Sequence, residues 1–113
     1  LAIRKSRLSH AQISETKAFC LNVLPRELAG TIKSFKIADW KNKFHSAGHT
    51  PSKSGLPVLD DCIGYLDCVV DQTVDAGDHT LFIGRIISGG MKNPAKTETL
   101  STFDYDGVYR GSA

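Results

Sequence analysis

The residues best suited to chemistry fall in two short stretches, Arg4-Lys5-Ser6-Arg7-Leu8-Ser9-His10 and Gly77-Asp78-His79. The first places three cations (Arg4, Lys5, Arg7) and two hydroxyls (Ser6, Ser9) within six positions, followed at once by the imidazole of His10. Ser9, with Gln12 three residues on, fits a capping box, and Ile13 and Thr16 extend the pattern into a short helix. A helix start offers free N–H groups and a partial positive charge, so with these cations it can hold a phosphate. A solvated basic turn with an ordinary cap accounts for the same residues. In the second stretch, His79 is a side chain suited to acid–base work beside a ligand. Gly77 permits close approach of a ligand, and Asp78 can fix a turn or orient His79. The plainer alternative is that Asp78 and Thr80 cap a hairpin.

A hairpin is what must position His79. From Ile63 to Val74 the chain reads IGYLDCVVDQTV, in which Leu66, Cys68 and Val70 alternate with Asp67, Val69 and Asp71. That period of two predicts a half-buried strand. Asp75-Ala76-Gly77-Asp78 is a plausible connection to a second strand, whose two faces carry His79, Leu81, Ile83, Arg85 and Thr80, Phe82, Gly84, Ile86. His79 then sits at the rim, where the strand leaves the turn. Leu1-Ala2-Ile3 reads as the end of a strand already under way. Phe19 to Leu24, FCLNVL, suits a buried strand. Pro25 opens a predicted helix with Leu28, Ile32 and Phe35 at helical spacing and Gly30 weakening its middle. Trp40 and Phe44 suit a second short helix and belong to a core rather than a base-stacking platform. Ser88 to Pro94 reads as a turn.

His45 to Gly55 is a polar loop punctuated by Pro51 and glycines. His45 and His49, four apart, would suit a metal on a helix. The stretch is poor in helix formers and has no acidic or cysteine ligand close by, so no metal site is predicted.

With 113 residues, the chain is one domain, 1–113, large enough for a core. A net charge of +2 with interspersed acids and bases gives no nucleic-acid footprint. No apolar run is long enough to span a membrane. The three cysteines lack CxxC spacing, and Cys62 and Cys68 would stand about 20 Å apart along an extended strand, too far for a disulfide. Free thiols point to a reducing, cytoplasmic compartment.

The string PVLDDCIGYLDCVVDQTVDAGDHTLFIGRI, Pro57 to Ile86, resembles the C-terminal half of the flavin reductase-like, FMN-binding split-barrel family, with Gly77-Asp78-His79 and Leu81-Phe82-Ile83-Gly84 at its most recognisable spot. The resemblance runs from Ile3 to about Tyr109. It implies a mainly β fold, an antiparallel Greek-key split barrel with short helices. It also implies FMN as cofactor, NAD(P)H as co-substrate, and a homodimer with a possible redox partner protein. Members place the FMN phosphate at the strand-to-helix junction, with a pattern similar to R-K-x-S-x-T-H. This chain keeps Arg4, Lys5 and His10, has Ser9 for threonine, and departs at Arg7, which replaces a small hydroxyl residue. The implied cofactor-binding set is Arg4, Lys5, Ser6, Arg7, Ser9, His10, Gly77, Asp78 and His79, with His79 as the catalytic residue beside the flavin or nicotinamide. The family's Ser-Gly-Arg element survives only as Lys43-Phe44, so its contacts are not carried over. Phe103, Tyr105 and Tyr109 resemble its Tyr-rich tail, which packs by the flavin or the second subunit; a tail covering a sheet edge fits equally. Members also carry several strands before Leu1, including the loop that cradles the flavin ring, so the chain is expected to be N-terminally incomplete. The implied activity is NAD(P)H-dependent flavin reduction; the alternatives are an FMN electron carrier of flavoredoxin type, or a fragment that binds no flavin.

Overall fold

The computed structural model describes residues 1–29 and 48–101. Expectations that rest on Ile32, Phe35, Trp40, Phe44, His45, Phe103, Tyr105 and Tyr109 lie outside them. The described chain is mostly antiparallel strand with one α-helix, as the split-barrel resemblance implies. In chain order the elements are β1 (Ala2–Arg4), α1 (Leu8–Thr16), β2 (Ala18–Val23), a 3-10 turn (Arg26–Leu28), β3 (His49–Pro51), β4 (Pro57–Leu59), β5 (Gly64–Ala76) and β6 (His79–Met91). One sheet has the order β1-β6-β5-β2; a second is the pair β3-β4.

The predicted hairpin is the longest feature, with 13 residues in each arm. Its loop is only Gly77-Asp78, and Gly77 takes φ +73°. A two-residue connection with glycine in its first position matches the right-handed twist of the strands it joins. From Thr80 to Arg85 the two faces of β6 separate as the alternation predicts, whereas Ile86, on the Phe82 face, is 58% exposed. Thr80 and Phe82 are buried, while Leu81, Ile83 and Arg85 are exposed. The strand continues through Ser88-Gly89-Gly90 to Met91, a stretch expected to turn. Glycine weakens a strand without ending it, and the turn follows only at Lys92 to Ala95.

The chain clusters into two compact units. The first comprises Leu1–Leu21, Pro51–Pro57 and Leu66–Gly90. Its core is Ile13 from α1, Phe19 from β2, Cys68 from β5 and Phe82 from β6, with Ile3 and Val70 packed against it. Gly84 makes this packing possible: a Cβ there would stand 2.5 Å from Cζ of Phe19 and 3.0 Å from Cβ of Cys68. The stretch expected as a buried strand is only half buried. Leu21 and Val23 are exposed because β2 ends the strand order and covers the core with one face.

Asp67 breaks the simple alternation of β5. It has 0% of its surface exposed, whereas its neighbour Leu66 has 39%. The Ser54 hydroxyl donates to Oδ1 of Asp67 at 2.5 Å and the Ser54 backbone N–H donates to Oδ2 at 2.9 Å. Burial by itself would raise this carboxyl. The two Ser54 hydrogen bonds, aided by Ser52 and the charge of Lys53, outweigh it and hold the pKa below 3.8. A carboxyl depressed on folding stabilises the native state above its unfolded pKa, and that stability is lost as pH falls through the lower folded value. Urea midpoints of the wild type should therefore fall steeply below about pH 4. Ser54→Ala should be less stable at pH 7 and show a shallower acid limb; parallel limbs would contradict the assignment.

The second unit comprises Asn22–Thr50, Val58–Tyr65 and Met91–Ala113. Val58, Leu59, Cys62 and Ile63 are buried there. The Asn93 side-chain amide donates to the carbonyls of Asp60 at 3.0 Å and Cys62 at 2.7 Å, and the Leu59 N–H donates to Oδ1 of Asn22 at 2.7 Å. Of the helix expected from Pro25, the described part is the 3-10 turn Arg26–Leu28. All three cysteines are free thiols, and burial pushes those of Cys62 and Cys68 up, which leaves both poorly nucleophilic at neutral pH.

Candidate functional site

Within the first unit, β1 delivers the basic segment to the hairpin turn. Its antiparallel register with β6 pairs Ala2 with Leu81, Ile3 with Thr80 and Arg4 with His79. One residue on, the Lys5 N–H donates to the carbonyl of Asp78 at 2.8 Å. The chain then turns, with the Arg7 N–H on the Arg4 carbonyl at 3.0 Å, and enters α1. The two stretches singled out in the sequence, more than 65 positions apart, are thus neighbours.

The helix start differs from expectation. Arg7, not Ser9, is the N-cap, and no side chain caps the helix. Ser9 lies inside α1, so the predicted capping box does not form; the Arg4–Arg7 turn sets the helical start two residues earlier. The consequence favours an anion. The first turn carries no acidic residue, the N-cap side chain makes no capping bond, and Ser6, Arg7 and Ser9 are exposed beside it.

His10, expected among the cofactor-binding residues, makes its contacts on β6. Its Nε2 is 2.8 Å from Oγ1 of Thr80, and its ring meets Phe82 edge-on at 5.3 Å between centroids. It is therefore turned toward the buried face of β6, tying α1 to that strand, rather than standing with the exposed cations. The signal for this pairing was Thr80 itself, a hydroxyl on the apolar side of β6 that needs a partner when buried.

The turn end of the hairpin is acidic, and its carboxylates, Asp75 at the end of β5 and Asp78 in the loop, meet the cations. Nζ of Lys5 donates to Oδ1 of Asp75 at 2.6 Å. Arg4 approaches Oδ2 of Asp78 at 3.9 Å, while Oδ1 of Asp78 lies 2.7 Å from Nδ1 of His79. The hydrogen bond from Lys5, then its charge, lowers the Asp75 carboxyl; the hydrogen bond from His79, then its charge, lowers that of Asp78. An ionised carboxylate only accepts, so Nδ1 of His79 is the donor in this contact. Asp75 was read as a turn residue, and local sequence gave no sign that it faces Lys5, 70 positions away.

Among the described residues no helix is long and apolar enough to cross a membrane, and no group of three or more His, Cys, Asp or Glu is placed to hold a metal. His49 is exposed in β3.

The family model for the flavin reductase-like domain matches residues 1–112. The chain belongs to the flavin reductase-like family. It is 32% identical over 116 residues to a high molecular weight rubredoxin of Moorella thermoacetica, a match covering 99% of this chain and 50% of the relative. It is 28% identical over 109 residues to a flavin reductase of Pseudomonas putida, covering 96% of this chain and 61% of that one. Among solved structures, an NADH:FAD oxidoreductase of Streptomyces globisporus superposes with a TM-score of 0.76 at 20% identity, over 80% of this chain and 56% of the other. At that identity the likeness speaks for the fold. This flavin reductase-like chain spans about half the length of the curated relatives it matches.

Proposed function

We propose that the chain binds FMN by its phosphate at the start of α1 and takes part in NAD(P)H-dependent flavin reduction. The observation that carries this reading is the β1–β6 register. It sets three exposed cations and an uncapped helix start directly beside a hairpin rim bearing an oriented imidazole. The residues fit the group: a dianionic tail meets Arg4, Lys5, Arg7 and first-turn N–H groups, with the hydroxyls of Ser6 and Ser9 nearby. When bound, the flavin accepts a hydride for which NAD(P)H is the donor. The protein's own work is to anchor, to orient and to present a hydrogen-bonding group. Gly77, with no side chain, leaves the rim open to a ring, and Asp78 holds the His79 ring through Nδ1.

His79 is accordingly the residue placed to touch the flavin or the nicotinamide. His79→Ala should leave the FMN dissociation constant within about twofold and slow reduction by NAD(P)H by about tenfold or more, since general acid–base and positioning groups contribute at least that much. Stopped-flow reduction measures both halves. NAD(P)H oxidation equal in mutant and wild type would remove the assignment.

A second reading has its own support in the rubredoxin relative. The chain would hold FMN tightly and pass electrons to a protein partner, as a flavoredoxin does. Yellow protein that retains FMN through purification without oxidising NAD(P)H selects the carrier; NAD(P)H oxidation that depends on added flavin selects the reductase. Protein that stays colourless in the presence of FMN sinks both and leaves a fragment without flavin. We further place the chain in a homodimer with the flavin near the interface, on the family resemblance, and in the cytoplasm, on its three free thiols.

A further inference from the structure

Asp75 has no part in the reading above, yet it makes a close polar contact at the candidate site. Lys5 is fixed at its backbone by the N–H bond to the Asp78 carbonyl, so its ammonium is tethered beside the turn. There it meets Oδ1 of Asp75 at 2.6 Å. Asp75 stands near the end of β5, two residues before Gly77. The pair is open to water, with 43% of the Lys5 side chain and 79% of the Asp75 side chain exposed. An exposed ion pair of this kind contributes little to stability. Its effect falls instead on any anion that approaches the same ammonium. Of the charges gathered here, Arg4, Lys5 and Arg7 are opposed by Asp75 and Asp78, so three cations present a net charge of only +1.

We propose that Asp75 is a built-in competitor for Lys5 that weakens the grip on the flavin phosphate and so keeps the flavin exchangeable. This rests on the phosphate assignment made above. An incoming phosphate must displace the Asp75 carboxylate from Lys5 or share the ammonium with it, and in either case it feels a fixed negative charge close by. Both effects lower affinity and speed release, and both act on the phosphate rather than on the ring. A flavin that leaves readily behaves as a substrate. Asp75 would thus set the balance between a reductase that passes on diffusible flavin and a carrier that keeps it.

The test compares FMN with riboflavin, which has the same ring and no phosphate, by titrating flavin fluorescence against wild type, Asp75→Asn and Lys5→Gln. Asp75→Asn should tighten FMN by about three- to tenfold, slow its release correspondingly, and leave riboflavin unchanged. Salt should narrow the gap between mutant and wild type, because the lost repulsion is solvent-exposed. Lys5→Gln should weaken FMN selectively. If it does, while Asp75→Asn leaves FMN unchanged or weaker, the phosphate site stands and the competitor is wrong. If Asp75→Asn tightens riboflavin equally, its effect is not on the phosphate and the proposal fails. If Lys5→Gln changes neither ligand, the phosphate assignment fails and takes the competitor with it.

Discussion

Arg4→Ala combined with Lys5→Ala is expected to raise the FMN dissociation constant by about a hundredfold or more while changing riboflavin binding by less than about twofold. Each side chain would offer a charge-assisted hydrogen bond to a phosphate, and such bonds contribute about 1.5–3 kcal/mol apiece. Arg4 sits at the end of β1 opposite His79, and Lys5 follows it at the bend into α1. Both are exposed, and their ion pairs with Asp78 and Asp75 are exposed too. Removing them should therefore leave the folded protein nearly as stable as before. That separation makes the result interpretable: a large loss confined to FMN, with an unchanged urea midpoint, can only come from the phosphate end of the ligand. Equal losses for FMN and riboflavin would mean that the cations act on the ring or on the fold.

The second large effect is on stability. Phe82→Ala should cost about 3–5 kcal/mol, the range for truncating a buried aromatic ring. Phe82 retains 1% of its surface and touches the core that Ile13, Phe19 and Cys68 complete. A domain of this size has about 5–15 kcal/mol to lose, so the variant would be close to unfolding at ordinary temperatures. The ring also lies edge-on to His10, two residues along β6 from the Thr80 hydroxyl that His10 meets. A cavity at Phe82 should thus loosen α1 from β6 and weaken FMN binding even where the protein remains folded. Urea denaturation reads the first effect and fluorescence titration the second. A loss under about 1 kcal/mol would show that this cluster is not the core.

The hairpin, the faces of β6 up to Arg85 and the glycine turn were legible because each depends on local rules: a period of two, and a glycine where the backbone needs positive φ. The same locality explains what was missed. Asp67 reads as an outward-facing residue of β5 until Ser54, 13 positions earlier, supplies both donors that let it be buried. Asp75 reads as a turn residue until β1 brings Lys5 against it. Ser9 looked like a cap because S-x-x-Q fits the capping rule, but the rule knows nothing of the Arg4–Arg7 turn that starts α1 earlier. At the candidate site, the basic cluster and Gly77-Asp78-His79 were found from residue types, and their adjacency follows only from β1 pairing with β6. His10 was grouped with the cations by its position in a motif; a buried hydroxyl on another strand decided its orientation.

The most direct measurement is a crystal structure of the chain with FMN bound. The phosphate is expected at the start of α1, within hydrogen-bond distance of Nζ of Lys5 and first-turn N–H groups, with the ring toward Gly77 and His79. A phosphate bound elsewhere, or that helix start filled by the protein's own side chains, would contradict it.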